Sequence, residues 1–160
     1  MRAIIIGAGA SGMAAALTAA RRGHTVTLLE RQARAGRKLM ATGNGRCNLT
    51  NTNASPEHYH GTDVSFMRRA MEALPPQEAL EFFRGIGLLT VEESGGRVYP
   101  LSNSANSVVD VLRFALEAAG VQLIAGDRAR EIYRDGDGFT VATESGARHR
   151  ADAVVVACGG

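Results

Sequence analysis

The sequence predicts an α/β fold: a parallel β-sheet flanked by helices, with one crossover made by an antiparallel β-meander instead of a helix. Three observations carry this. The first thirty residues alternate strand, helix and strand in a βαβ unit of about the minimum practical length, so the two strands should lie parallel and adjacent. Residues 104–119 carry the apolar periodicity of a long helix. The last forty residues read as β throughout and finish in a continuous apolar run, as suits a strand covered on both faces.

Composition bounds the rest. At 160 residues the chain is long enough for one domain with a proper core. Its 45% hydrophobic and 21% charged content is ordinary for a globular protein. The net charge of +2 rests on seventeen arginines and one lysine, Lys38, too mild a balance for nucleic-acid binding by bulk electrostatics. Cys47 and Cys158 lie far apart and form no CxxC pair, so neither a disulfide scaffold nor a metal site is expected. The apolar start is far too short for a signal core or a membrane span. The expectation is a cytoplasmic protein without membrane contact.

Taken in order, residues 3–6 form the first strand and 25–30 the second. Between them residues 11–22 are alanine-rich, free of proline and closed by Gly23, a helix with its stop signal. Residues 31–56 read as a long loop rich in Gly, Asn, Thr and Arg, and a structureless stretch of that length is functional or disordered. Helices follow at 63–74, stopped by Pro75-Pro76, and at 77–84, with Phe82 and Phe83 expected in the core. Residues 88–92 and 97–99 make a hairpin around Gly95-Gly96. In the helix at 104–119, Val108, Val109, Leu112 and Leu116 share one broad face, and Gly120 ends it. A buried strand at 121–125 leads into the meander, 129–134, 138–143 and 147–151, with turns at Asp135-Gly136-Asp137 and Ser145-Gly146. Residues 153–157 are the final strand. Arg128, Arg130, Arg148 and Arg150 are expected on the meander's exposed face. The chain is expected to be one domain, with 31–104 as an excursion.

The first chemistry-bearing feature is Gly7-Ala8-Gly9-Ala10-Ser11-Gly12, a GxGxxG run at the junction of the first strand and the first helix. In that position Gly7 permits a tight turn, Gly9 lets backbone approach a pyrophosphate, and Gly12 lets helix and strand pack closely. The helix start at Ala10 and Ser11 offers free N–H groups and the positive end of the dipole to a diphosphate. Glu30 ends the second strand eighteen residues past Gly12, where a carboxylate accepts hydrogen bonds from a ribose diol. Strand, motif, helix, strand and acid in register make a Rossmann-like dinucleotide site. Glu30 disfavours a 2′-phosphate, with Arg31 beside it as the one contrary charge.

FAD and NAD share that fingerprint. Two features favour FAD. The strand end runs on into Ala35-Gly36-Arg37, the pattern of flavoproteins whose extended loop passes beneath the pyrophosphate. The meander crossover, followed by an apolar strand, resembles the FAD domain of the glutathione-reductase-like superfamily. A helical crossover after residue 125 would instead indicate an NAD-binding dehydrogenase domain.

The run Gly36-Arg37-Lys38-Leu39-Met40-Ala41-Thr42-Gly43-Asn44-Gly45-Arg46-Cys47-Asn48-Leu49-Thr50-Asn51 narrows the resemblance. It is similar to the GRKxxATGxGRCNxTN pattern of the BaiN/RdsA-type (YhiN-like) NAD(P)/FAD-dependent oxidoreductases. Gly96-Arg97-Val98-Tyr99-Pro100-Leu101-Ser102 with Ala105 resembles that family's GRxFPxSxxA segment, and 153–160 its AxxVxLATGG strand, with Cys158 where Thr is common. The resemblance spans essentially the whole chain.

It implies the N-terminal, FAD-binding portion of such an enzyme, passing hydride from NAD(P)H through FAD to an electron-poor C=C acceptor. Members of the family are associated with reducing a uridine in ribosomal RNA and with bile-acid enone reduction. These residues do not choose between an RNA and a small-molecule substrate. The resemblance also implies that a substrate domain and a C-terminal segment completing the flavin site are absent from this chain. The isolated chain is then expected to be inactive, a nucleotide-binding fragment without turnover, and the exposed surface to favour a homodimer.

Single residues follow from this reading. Arg37 and Lys38 are candidates to neutralise the pyrophosphate. Thr42, Gly43, Asn44 and Asn48 sit in a segment with no hydrophobic reason to be glycine-rich, suited to approach a flat ring or phosphate. Arg46 is a candidate to counter charge on reduced flavin, the alternative being an internal salt bridge. Cys47 has no second cysteine nearby and no adjacent base, so it is read as a small packing residue of the flavin loop. Ala129 is a candidate for backbone contacts to adenine, and Ala157 and Gly159 for the cofactor face of the last strand. His58-Tyr59-His60 lacks a third ligand and reads as surface loop.

Overall fold

The computed structural model describes residues 1–159. In chain order the elements are β1 (Arg2–Ile6), α1 (Ala10–Arg21), β2 (Thr25–Glu30), α2 (Arg37–Ala41), β3 (Thr50–Asn51), α3 (Ser65–Ala73) and α4 (Pro76–Arg84). There follow β4 (Thr90–Glu93), β5 (Arg97–Pro100), α5 (Ala105–Ala118), β6 (Gln122–Ala125), β7 (Ala129–Asp135), β8 (Gly138–Thr143), β9 (Arg148–Ala151) and β10 (Ala153–Val156). They gather into two compact units, one of residues 1–39 with the chain from 112 onward, the other of residues 40–111.

The first unit holds the parallel sheet, in the order β10-β1-β2-β6, and the antiparallel meander β7-β8-β9. Register is continuous across β1, with Ile4 opposite both Val154 and Thr27. Alternation along β1 sends Ile4 and Ile6 to one face, where they pack with Leu29, Val141 and Ala151 under the meander. The intervening Ile5 is 1% exposed and belongs to the opposite face, the one that α1 covers with Met13, Ala16 and Leu17. Both faces of β1 are therefore dry, which is why its run of isoleucines does not alternate with polar residues.

The second unit holds β3-β5-β4, antiparallel, with α3 and α4, while α2 straddles the boundary at residues 39–40. The expected hairpin is present as β4 and β5, turning through residues 94–96, and β3 adds to it by pairing Thr50 with Val98. Three expectations need correction here. The stretch 31–56 is not structureless: it contains α2, a 3-10 turn at Thr42–Gly45 and β3. The first helix of this unit starts at Ser65, because Asp63 accepts the Ser65 amide (2.9 Å) from outside it. Phe82 and Phe83 are half-buried, packed edge to face at 5.4 Å, not fully enclosed.

Leu28, fully buried on β2, tests the sheet core. Leu28→Ala should cost about 2–5 kcal/mol in urea unfolding. A loss under about 1 kcal/mol would mean that this strand is not packed on both faces.

Candidate functional site

The site grows from a steric problem at the end of β1. Gly7 sits at φ +105, and a Cβ there would lie 2.6 Å from the Ala157 carbonyl oxygen. Gly12, inside α1, has even less room: a Cβ would stand 1.8 Å from the Gly7 carbonyl oxygen. Both positions are glycine because protein atoms demand it. Gly9 is different. Its φ is −82, and a Cβ built on it meets nothing within 4 Å. Among the described residues no atom stands where a side chain at this N-cap would lie, so a ligand has room to approach this backbone closely.

What could approach is set by the surroundings. The first internal bond of α1 runs from the Met13 amide to the Gly9 carbonyl (2.9 Å), and the N-cap makes no side-chain hydrogen bond. The amides of Ala10, Ser11 and Gly12 are thus left at the positive end of a twelve-residue helix, a seat for an anion. The Glu30 carboxylate, at the end of the neighbouring β2, accepts the Ala8 amide on Oε2 and the Gln32 amide on Oε1, each at 2.8 Å. Each oxygen keeps a lone pair for a further donor such as a sugar hydroxyl. The donors and the cradle fit the diphosphate and ribose of a dinucleotide.

Beside them lies a pocket of about 230 Å³, lined by Ile6, Gly7, Leu29, Glu30, Arg31, Asp127, Arg128, Ala129 and Cys158. It opens where the strand order reverses about β1, beyond the carboxyl ends of the strands, where ligands bind in open α/β sheets. Its wall is braced: the Gly126 amide donates to the Gln32 carbonyl (2.9 Å) and the Asp127 amide to the Glu30 carbonyl (3.1 Å). Asp127 in turn accepts the Ser145 hydroxyl at 2.6 Å and the Ser145 amide at 3.1 Å. That hydroxyl, with Thr143 adding to it, holds the Asp127 carboxyl below the ordinary aspartate range.

Of the residues expected at a cofactor, Gly7, Glu30, Arg31 and Ala129 line this one pocket. Gly9, Ala10, Ser11 and Gly12 form the helix start, and Ala157 packs on Gly7 and Gly12. Gly36 joins them through its amide, which donates to the Ala8 carbonyl (2.8 Å). Arg37 and Lys38 are exposed in the first turn of α2, Arg37 donating to the Gln32 side chain at 3.0 Å. Gly159 is exposed at φ +73. Asp127, Arg128 and Cys158 escaped the sequence reading of the pocket. Arg128 was assigned to the meander's outer face, yet it lines the pocket while pairing with Glu144 at 3.7 Å. The signal that would have found Asp127 and Arg128 is Gly126, which breaks the chain at the carboxyl end of a parallel strand.

Thr42, Gly43, Asn44, Arg46, Cys47 and Asn48 belong to the second unit. They form one tight turn, in which the Arg46 amide donates to the Gly43 carbonyl and the Cys47 amide to the Thr42 carbonyl, both at 3.1 Å. The Arg46 side chain is engaged internally. Its guanidinium lies 4.0 Å above the Tyr99 ring, donates from Nε to Asn103 and forms an ion pair with Glu93. Cys47 is 2% exposed, and burial pushes its thiol up against a smaller opposing effect of Thr42. A thiol so placed is a packing group, not an activated nucleophile. Among the described residues no group of three or more His, Cys, Asp and Glu side chains is arranged to hold a metal, and no helix is long and apolar enough to cross a membrane.

Fold and cradle together define a Rossmann-like dinucleotide-binding domain. More narrowly, the chain belongs to the family described as the HI0933-like protein Rossmann domain, whose family model matches residues 1–160. It is 42% identical over 158 residues to the 3-dehydro-bile acid delta(4,6)-reductase of Clostridium scindens, covering 98% of this chain and 38% of that protein. It is 30% identical over 158 residues to the ribosomal RNA dihydrouridine synthase of Escherichia coli, covering 99% and 39%. The chain thus spans about two fifths of the length of these curated relatives. Among solved structures, THI4 of Thermovibrio ammonificans matches in fold with a TM-score of 0.67 at 16% identity, over 99% of this chain and 57% of that one.

The held carboxylate gives a pH prediction. Because the folded pKa of Asp127 is depressed, its stabilising contribution is whole above the ordinary aspartate value of about 3.9 and is lost as pH falls through the folded value. Asp127→Asn should therefore flatten the acid limb of unfolding free energy against pH. An unchanged acid limb would show that Ser145 does not hold this group. The cysteines give another: a small alkylating reagent should modify exposed Cys158 first and reach Cys47 only on unfolding. Peptide mapping of the labelled protein checks it, and early labelling of Cys47 would contradict its burial.

Proposed function

We propose that the chain is the FAD-binding part of a flavin-dependent oxidoreductase that passes hydride from NAD(P)H, by way of FAD, to an unsaturated acceptor. The single observation behind the reading is Gly9, a glycine that no protein atom requires, at an uncapped helix start. The amides of Ala10, Ser11 and Gly12 would take the diphosphate, with Arg37 and Lys38 adding charge from α2. Glu30 would accept from the ribose, and the pocket at Ala129 would lodge the adenine. FAD is preferred to NAD because the chain crosses from β6 to β10 through the meander. When bound, the flavin supplies the hydride chemistry; the protein's part is to bind, orient and polarise.

The substrates that the names of the two relatives specify, a 3-dehydro-bile acid with δ(4,6) unsaturation and a uridine in ribosomal RNA, share one chemical feature. Each presents a C=C conjugated to a carbonyl, and that acceptor class is the one we assign. On this reading the protein works in the cytoplasm, where the reduced nicotinamide is at hand.

Gly9→Ala tests the reading. The added methyl meets no protein atom, so unfolding free energy should change by no more than about 1 kcal/mol. The flavin absorbance bands of the purified protein, and its uptake of added FAD, should fall at least about tenfold in affinity. A colourless wild-type protein that binds NAD and not FAD in calorimetry would overturn the proposal.

A further inference from the structure

Among the described residues, the non-glycine positions in the left-handed region are Asn44 (φ 55), Cys47 (φ 60) and Asn103 (φ 55). They do not scatter. Asn44 and Cys47 flank Arg46 within two positions, and Asn103, fifty-seven residues on, accepts its Nε–H. A β-carbon makes that region unfavourable, so neighbours must hold such residues in place, and strain of this kind gathers at functional positions. Here two of the three lie in the turn that carries Arg46, and the third bonds its guanidinium.

The neighbours are identifiable. Tyr99, on β5, is 7% exposed and offers its ring face to the guanidinium at 4.0 Å, while its edge carbon lies 3.5 Å from where a Cβ of Gly43 would stand. Glu93, ending β4, takes one Nη2 proton, and Asn103, whose own amide closes a turn onto the Pro100 carbonyl at 2.8 Å, takes Nε. An arginine has five N–H donors in a fixed fork, and the Nη1 pair meets no partner among the described residues. The guanidinium is thus stacked on one face, tied along one edge and open along the other.

We propose that Glu93, Tyr99 and Asn103 are positioning residues that hold Arg46, and through it the 42–48 turn, in one binding-competent shape, from which the free Nη1 group would be available to a bound flavin. This rests on the FAD reading above. It joins the 42–48 turn to Glu93, Tyr99 and Asn103, all within the second unit: the later segment is the template on which the turn is folded. Lysine cannot replace Arg46, because a single ammonium cannot stack flat while bridging Glu93 and Asn103.

Two readouts on the purified protein test it. In the cofactor-free protein, hydrogen exchange at the Arg46 and Cys47 amides should accelerate in Arg46→Ala and Tyr99→Leu and stay slow in Tyr99→Phe, which keeps the ring. Both accelerated variants should also bind FAD at least about tenfold more weakly, with Tyr99→Phe unchanged. Val98→Ala is the control: Val98 is buried next to Tyr99, so the variant should melt earlier, yet its FAD affinity should hold. Unchanged exchange in Arg46→Ala, or equal weakening of FAD in Val98→Ala, overturns the clamp. Failure of the wild type to take up FAD overturns the flavoprotein reading instead, while the exchange measurement still decides whether Arg46 holds the turn.

Discussion

The first unit depends on how closely α1 approaches β1. A Cβ at Gly12 would stand 1.8 Å from the Gly7 carbonyl oxygen, and one at Gly7 would stand 2.6 Å from the Ala157 carbonyl oxygen. Two glycines thus allow a helix, the strand it follows and a third segment from the far end of the chain to meet at one point. The closeness has a consequence for chemistry. It sets the first turn of α1 directly over the ends of the parallel strands, so its unpaired amides face the crevice where the strand order reverses. Gly9, between them in the run, is under no such steric limit, because the space beside it is empty of described atoms.

Around that point the loops brace one another by backbone bonds. Glu30 binds the Ala8 amide, Gly36 binds the Ala8 carbonyl, and Gly126 and Asp127 return to Gln32 and Glu30. The Glu30 carboxylate therefore has two tasks, closing the glycine turn and leaving lone pairs for a ligand. A glutamine could reach the same place, but its one carbonyl oxygen would accept only one of the two amides, its NH2 group facing the other as a second donor.

The parallel sheet, α1, α5 and the meander were legible in the sequence because each declares itself locally: apolar runs of strand length, a helical period, glycine and aspartate at turns. The cradle was legible because the order strand, glycine run, helix, strand, acid leaves little freedom. What escaped depends on partners remote in sequence. β3 is two residues long and exists through its pairing with β5, so no propensity reveals it. Asp127 and Arg128 enter the pocket because β6 lies beside β2, a neighbourhood that strand order decides. The partners of Arg46 were hidden likewise: Glu93 and Asn103 carry no mark of their own, and both alternatives weighed for that arginine turned on contacts that only the fold displays.

Strain and reactivity do not coincide in this chain. Among the described residues two of the three left-handed non-glycine positions, Asn44 and Cys47, lie in the turn at 43–47, whereas that cysteine is buried and its thiol is pushed away from the reactive thiolate. The unusual conformations serve to place amides, a flat guanidinium and close-approaching glycines, not to arm a nucleophile. The two units reach their local geometry by different means: steric exclusion at the glycine cradle of the first, and a stacked, doubly bonded arginine at the strained turn of the second.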